Sequence, residues 1–142
     1  MKFFTIKRLF QYFLPTTLTL FMLLTIERNV DTDIGGYEKL YGLPFPFISS
    51  NYAFTHHFDV YLLMMLFDLL FWFIVALLFF KGLESIGLII KTHWIFIVIA
   101  TLIILFWAFM FYATTFESTF KLTNDFSFKV TSRRLYFGTY PW

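Results

Sequence analysis

Asp68 stands near the middle of a run of about twenty otherwise apolar residues, YLLMMLFDLLFWFIVALLFF from Tyr61 to Phe80. A carboxylic acid at the centre of such a run costs about 3 kcal/mol on membrane-insertion scales, so it faces protein or water and not lipid. Two roles suit it: a proton or cation relay, or a hydrogen-bonding clamp between helices. Relays use several ionisable groups in series, and the apolar runs hold no second one, which favours the clamp.

Two further groups of residues have the types that chemistry uses. His56 and His57, with Asp59 beside them and Asp31, Asp33 and Glu38 upstream, offer imidazole and carboxylate ligands for a metal ion. Adjacent histidines point apart along an extended chain, and the Asp31-x-Asp33-x-Gly35 start of a calcium loop carries glycine where oxygen ligands are needed. They are weak metal candidates, and solvated loop residues flanking a helix entry describe them better. Ser49 and Ser50 lie close in sequence to the same histidines, but a triad is defined by geometry and no Gly-x-Ser-x-Gly elbow occurs. An enzyme acting on lipid from this segment is the weakest of the readings.

The elements that position these residues follow from the hydropathy pattern. The chain of 142 residues is 59% hydrophobic and only 14% charged, which excludes an ordinary soluble composition. Its net charge of +2 is too small and too scattered for a nucleic-acid partner, and with no cysteine there is neither disulfide nor thiolate metal site. No cofactor is expected. Three apolar runs predict transmembrane helices at about 9–26, 60–80 and 94–112, an all-α membrane domain. Lys2, Lys7 and Arg8 precede the first run in the outline of a signal peptide, but no small-x-small site follows, so it reads as an uncleaved helix. Pro15 is expected to kink it, with Gln11, Pro15 and Thr19 on its inward stripe.

Residues 27–59 read as an ordered loop outside the hydrocarbon, whose Tyr41-Gly42-Leu43-Pro44-Phe45-Pro46-Phe47 run is apolar enough to lie on the membrane interface. The tail, 113–142, alternates apolar and polar around Phe128 and Val130 and predicts a short strand or hairpin, paired with the 27–59 segment or with another protein. Basic residues near the spans favour a cytoplasmic amino terminus and an extracytoplasmic carboxy terminus.

The Gly42-x-Pro44-Phe45 loop ahead of Phe67-Asp68-Leu69-Leu70-Phe71-Trp72 resembles a loose set of small uncharacterised bacterial inner-membrane proteins. The resemblance covers about a third of the chain; it implies an inner-membrane location and no activity.

Helical spacing places Tyr61, Met65 and Trp72 on the face of Asp68, a surface suited to a partner. By depth, Asp68 lies eight residues below Val60, about 12 Å, which matches Thr19 or, after rotation at the kink, Thr16 on the first helix. The expectation is therefore a non-catalytic accessory or assembly subunit of a larger inner-membrane complex, in contact with lipid and with other integral membrane subunits. The alternative is a small proton- or ion-conducting homo-oligomer that uses Asp68.

Overall fold

The computed structural model describes residues 6–32, 37–50, 58–87, 94–116, 118–123 and 127–137. It is not all-α. Six strands form one mixed sheet: β1 (Leu24–Thr32), β2 (Tyr37–Gly42), β3 (Ile48–Ser50), β4 (Phe58–Tyr61), β5 (Thr119–Lys121) and β6 (Phe128–Phe137). Their spatial order is β5-β4-β3-β2-β1-β6. The segment expected to be a loop, 27–59, therefore supplies most of the sheet. Among the described residues the two strands of the tail do not pair with each other: β6 pairs antiparallel with β1, and β5 pairs parallel with β4 at the opposite edge.

The expectation failed because β1 hides its alternation. Its sequence is LTIERNVDT, and of its four buried positions, Thr25, Arg28, Val30 and Thr32, only one is apolar. From Arg28 onward period two is present in burial but not in hydropathy, which is the signal that identifies a half-buried strand.

Two helices, Leu62–Ser85 and Trp94–Thr115, are long and apolar enough to cross a membrane. Of their most apolar stretches only 17% and 11% is buried, unlike the core helix of a soluble protein. Leu66, Leu70, Ile74 and Leu78 on the second helix, and Ile95, Leu102, Leu105 and Phe109 on the third, are among many exposed large apolar side chains. Such continuous apolar exposure is what hydrocarbon, and not water, tolerates.

The first helix is shorter than the expected span and ends at Leu23, where the chain turns directly into β1. Its α-helical turn Ile6–Arg8 and its α-helix Leu14–Leu23 are joined by a π-helical stretch, Leu9–Phe13, in which the Leu14 N–H reaches the Leu9 carbonyl. Pro15 follows at once. A proline ring clashes with the carbonyl four residues back, and widening the helix just ahead of it relieves that contact. The three-span, all-α arrangement is thus replaced by two apolar helices, with a third and interrupted one packed against both, beneath a sheet.

The second and third helices each pack on the first rather than extensively on each other, with β4 leading into the second and β5 following the third. All six strands consequently lie at one end of the helices. The main core joins the two parts: Phe21 and Met22 of the first helix, Trp72 of the second and Trp107 of the third pack in one cluster with Tyr41, Phe47, Ile48 and Val60. A smaller cluster of Val30, Leu40 and Tyr61 fills the sheet itself.

Candidate functional site

The acid singled out by its sequence context is fully buried, and its partners are not side chains. Asp68 Oδ2 accepts from the Leu43 N–H at 3.0 Å and Oδ1 from the Phe45 N–H at 2.9 Å. Both donors belong to the turn Gly42–Phe45 that follows β2 and contains a cis Leu43–Pro44 bond. The same turn is held from the other side by Arg28 of β1. Its Nη1 donates to the Gly42 carbonyl at 2.8 Å and its Nη2 to the Pro44 carbonyl at 2.7 Å.

Four successive residues of backbone are thereby satisfied in alternation: carbonyls 42 and 44 by the guanidinium, N–H groups 43 and 45 by the carboxylate. Pro44 has no N–H to satisfy. An ionised carboxylate in a dry interior is tolerated only with such charge-assisted bonds, and an Arg is suited to two carbonyls because its planar fork carries parallel donors. Burial, and then the positive charge of Arg133, push the Arg28 pKa down from the usual arginine value, while the charge of Asp68 holds it up.

Gly42 makes the turn possible. Its φ of +142° is strained for residues with a side chain, and an added Cβ would lie 2.0 Å from the Phe45 carbonyl oxygen and 2.8 Å from Phe47 Cδ1. Phe47, at the end of the turn, is completely enclosed and stacks on Phe21 at a centroid distance of 4.9 Å. The apolar loop is therefore largely a plug over the helix ends: Tyr41 and Phe47 are buried, Pro44 and Pro46 half-buried, and only Phe45 is exposed, beside Phe67.

Thr19 is not the partner of Asp68. Its hydroxyl instead accepts from Trp107 Nε1 of the third helix at 3.0 Å. The register of the first two helices explains the error. Phe13 packs edge-on against Phe80, and Arg8 pairs with Glu84 near the end of the second helix. Counting twelve residues up each antiparallel partner from the Phe13–Phe80 contact brings Asp68 level with Thr25, beyond the first helix. Thr16 lines a groove of about 270 Å³ between the first and third helices, with Gln11, Tyr12, Thr19 and Phe96.

The expected partner-facing surface is also used within the chain. Tyr61 is 1% exposed and its hydroxyl hydrogen-bonds Ser49 Oγ at 2.9 Å; Trp72 is buried, and Met65 packs against the core. Burial pushes the Tyr61 phenol up to about 12, against the smaller opposing effect of its bond to Ser49. His56 and His57, the weak metal candidates, lie outside the described residues. Among the described residues no three His, Asp or Glu side chains gather as a metal site.

Arg28 is the functional residue that sequence reasoning missed. One signal was available: it is a cation flanked at two-residue spacing by Ile26 and Val30, in a segment otherwise richer in acids. No protein-family model, curated protein or solved structure matches the chain.

Proposed function

We propose that the protein is a non-catalytic subunit of a larger membrane complex, in which the helices seat the chain in the bilayer and the sheet is held rigidly against its surface. The observation that supports this reading is the use made of Asp68. A relay carboxylate needs a water path and partners it can exchange, whereas Asp68 is 0% exposed and both its oxygens are bonded to the backbone of one turn. Its charge ties the sheet to the second helix. The exposed apolar surface of the third helix, from which only Ala100 and Trp107 are buried among the described residues, is then the side available to lipid and to other membrane chains.

In the same reading the membrane is a bacterial inner membrane and the sheet is extracytoplasmic. Lys81 lies in the last turns of the second helix, and Lys7 and Arg8 begin the first, all at the end opposite the sheet. The basic flank of the first apolar run supports a cytoplasmic assignment of that end, and Arg28, Lys39, Lys121, Lys129, Arg133 and Arg134 at the sheet end oppose it.

The test is purification of the full chain in a mild detergent, followed by mass spectrometry. Other integral membrane polypeptides should co-purify in fixed ratio. A homo-oligomer whose reconstituted conductance is lost in Asp68→Asn would replace this reading with the conducting one, and a monomer alone would remove both.

A further inference from the structure

β6 descends towards the helices. Its first residue, Phe128, registers with Thr32, and its last, Phe137, registers with Leu24, the residue at which the first helix becomes β1. Between them Arg133 stands directly opposite Arg28. Directly opposed residues of antiparallel strands share a face, with Cβ atoms about 5 Å apart, and like charges there repel. Arg28 already spends two of its nitrogens on the turn carbonyls. Arg133 is exposed and forms no ion pair or side-chain hydrogen bond among the described residues, yet its charge reaches Arg28 strongly enough to lower its pKa.

The height of this pair is set independently. Four strand residues above Leu24, it lies about 13 Å up the sheet. Asp68, which the same turn ties to Arg28, lies six residues below Leu62, about 9 Å. The pair is thus within a few ångströms of the level at which the second helix begins. Exposed apolar side chains lie at or below that level: Leu122, whose carbonyl accepts from the Leu63 N–H, Phe120 beside it, and, lower, Phe45 bonded to Asp68 and Leu135 opposite Ile26. Apolar side chains below, and above them a guanidinium with no ion pair among the described residues, describe the boundary between acyl chains and headgroups.

We propose that Arg133, beside Arg28, binds the phosphate of an anionic phospholipid headgroup at the sheet's edge, so that lipid supplies a counter-charge that Arg133 lacks among the described residues. A guanidinium suits this ligand because it can donate two parallel hydrogen bonds to phosphate oxygens. The inference rests on the membrane placement of the preceding section, but not on a protein partner.

The test uses the full chain in detergent with phosphatidylglycerol and phosphatidylcholine in equal amounts, with retained lipids counted by native mass spectrometry. Retention of phosphatidylglycerol should exceed that of phosphatidylcholine roughly fivefold, the ratio that about 1 kcal/mol per basic residue corresponds to. Arg133→Gln should bring the ratio near one, and Arg133→Lys should keep most of it. Lys129→Ala, near the far end of the strand, should leave it unchanged. Equal retention by the native chain, a preference that survives Arg133→Gln, or displacement by millimolar inorganic phosphate as effective as by lipid would each overturn the proposal. Alkaline carbonate extraction separates this outcome from failure of the membrane reading: a native chain that stays in the membrane pellet yet shows no preference refutes only the headgroup site, and one that is extracted refutes both.

Discussion

Arg28 and Asp68 carry opposite charges and are bonded to the same turn, yet not to each other: the guanidinium holds its carbonyls and the carboxylate its N–H groups. The two side chains come from β1 and from the second helix, so the turn between them is the joint by which the sheet is fastened to the apolar helices.

This geometry makes Asn a poor substitute for Asp68. Its amide can keep one acceptor but turns an NH2 group towards the second backbone N–H. Asp68→Asn should cost about 1–3 kcal/mol of stability, and Asp68→Leu, which loses both bonds, more. Thermal unfolding in detergent measures both. A double-mutant cycle of Arg28→Met with Asp68→Asn should show coupling above about 0.5 kcal/mol although the side chains do not touch, and strict additivity would contradict the joint.

Two glycines give an internal comparison. Gly42→Ala forces a Cβ against the Phe45 carbonyl at a strained φ, and should destabilise by about 3 kcal/mol or more or abolish folding. Gly82→Ala, in the last turns of the second helix with nothing within 4 Å of the added Cβ, should stabilise by about 0.5–1 kcal/mol. Equal effects from the two substitutions would show that the turn is not built as described.

Tyr61 predicts a dependence on alkaline pH. An unfolded tyrosine ionises near pH 10, whereas the buried phenol is pushed up to about 12. Below pH 10 both states keep the proton and the group adds no pH dependence. Between pH 10 and 12 the unfolded chain releases its proton and the folded one does not, so stability falls. The fall should be shallower in Tyr61→Phe than in the native chain when unfolding is followed from pH 9 to 12. Identical profiles would mean that this phenol is not enclosed.

The chain contains no cysteine, so single cysteines report sidedness without background. Asp31→Cys on β1 and Lys129→Cys on β6 should react with a membrane-impermeant thiol reagent from the same side. Ile86→Cys, just after the second helix, should react only from the other. Labelling of the two sheet positions from different sides would rule out a single sheet assembled at one end of the helices.

Apolar run length was sufficient to place the second and third helices near their observed limits, because helices apolar on most of their faces carry their signal in mean hydropathy. It also marked Asp68 as inward-facing, since burial of that acid follows from solvation cost alone. Its partners left no trace, because backbone N–H groups are the same at every non-proline position. The sheet was illegible where buried strand positions are polar, as at Arg28 and Thr32, and where strands are as short as Ile48–Ser50. Thr19 was misassigned because depth was counted from assumed membrane boundaries, whereas the aromatic contact of Phe13 with Phe80 sets the true register.

The pairing of β1 with β6 joins residues separated by about a hundred positions, with both long apolar helices lying between them. Where the two helices cross a bilayer, as proposed, the sheet can close only after both have crossed. A chain with one helix inserted would hold the two halves of the sheet on opposite sides of the bilayer, leaving the edge of β1 open. In the proposed membrane setting, a closed sheet and two helices across the bilayer therefore require each other.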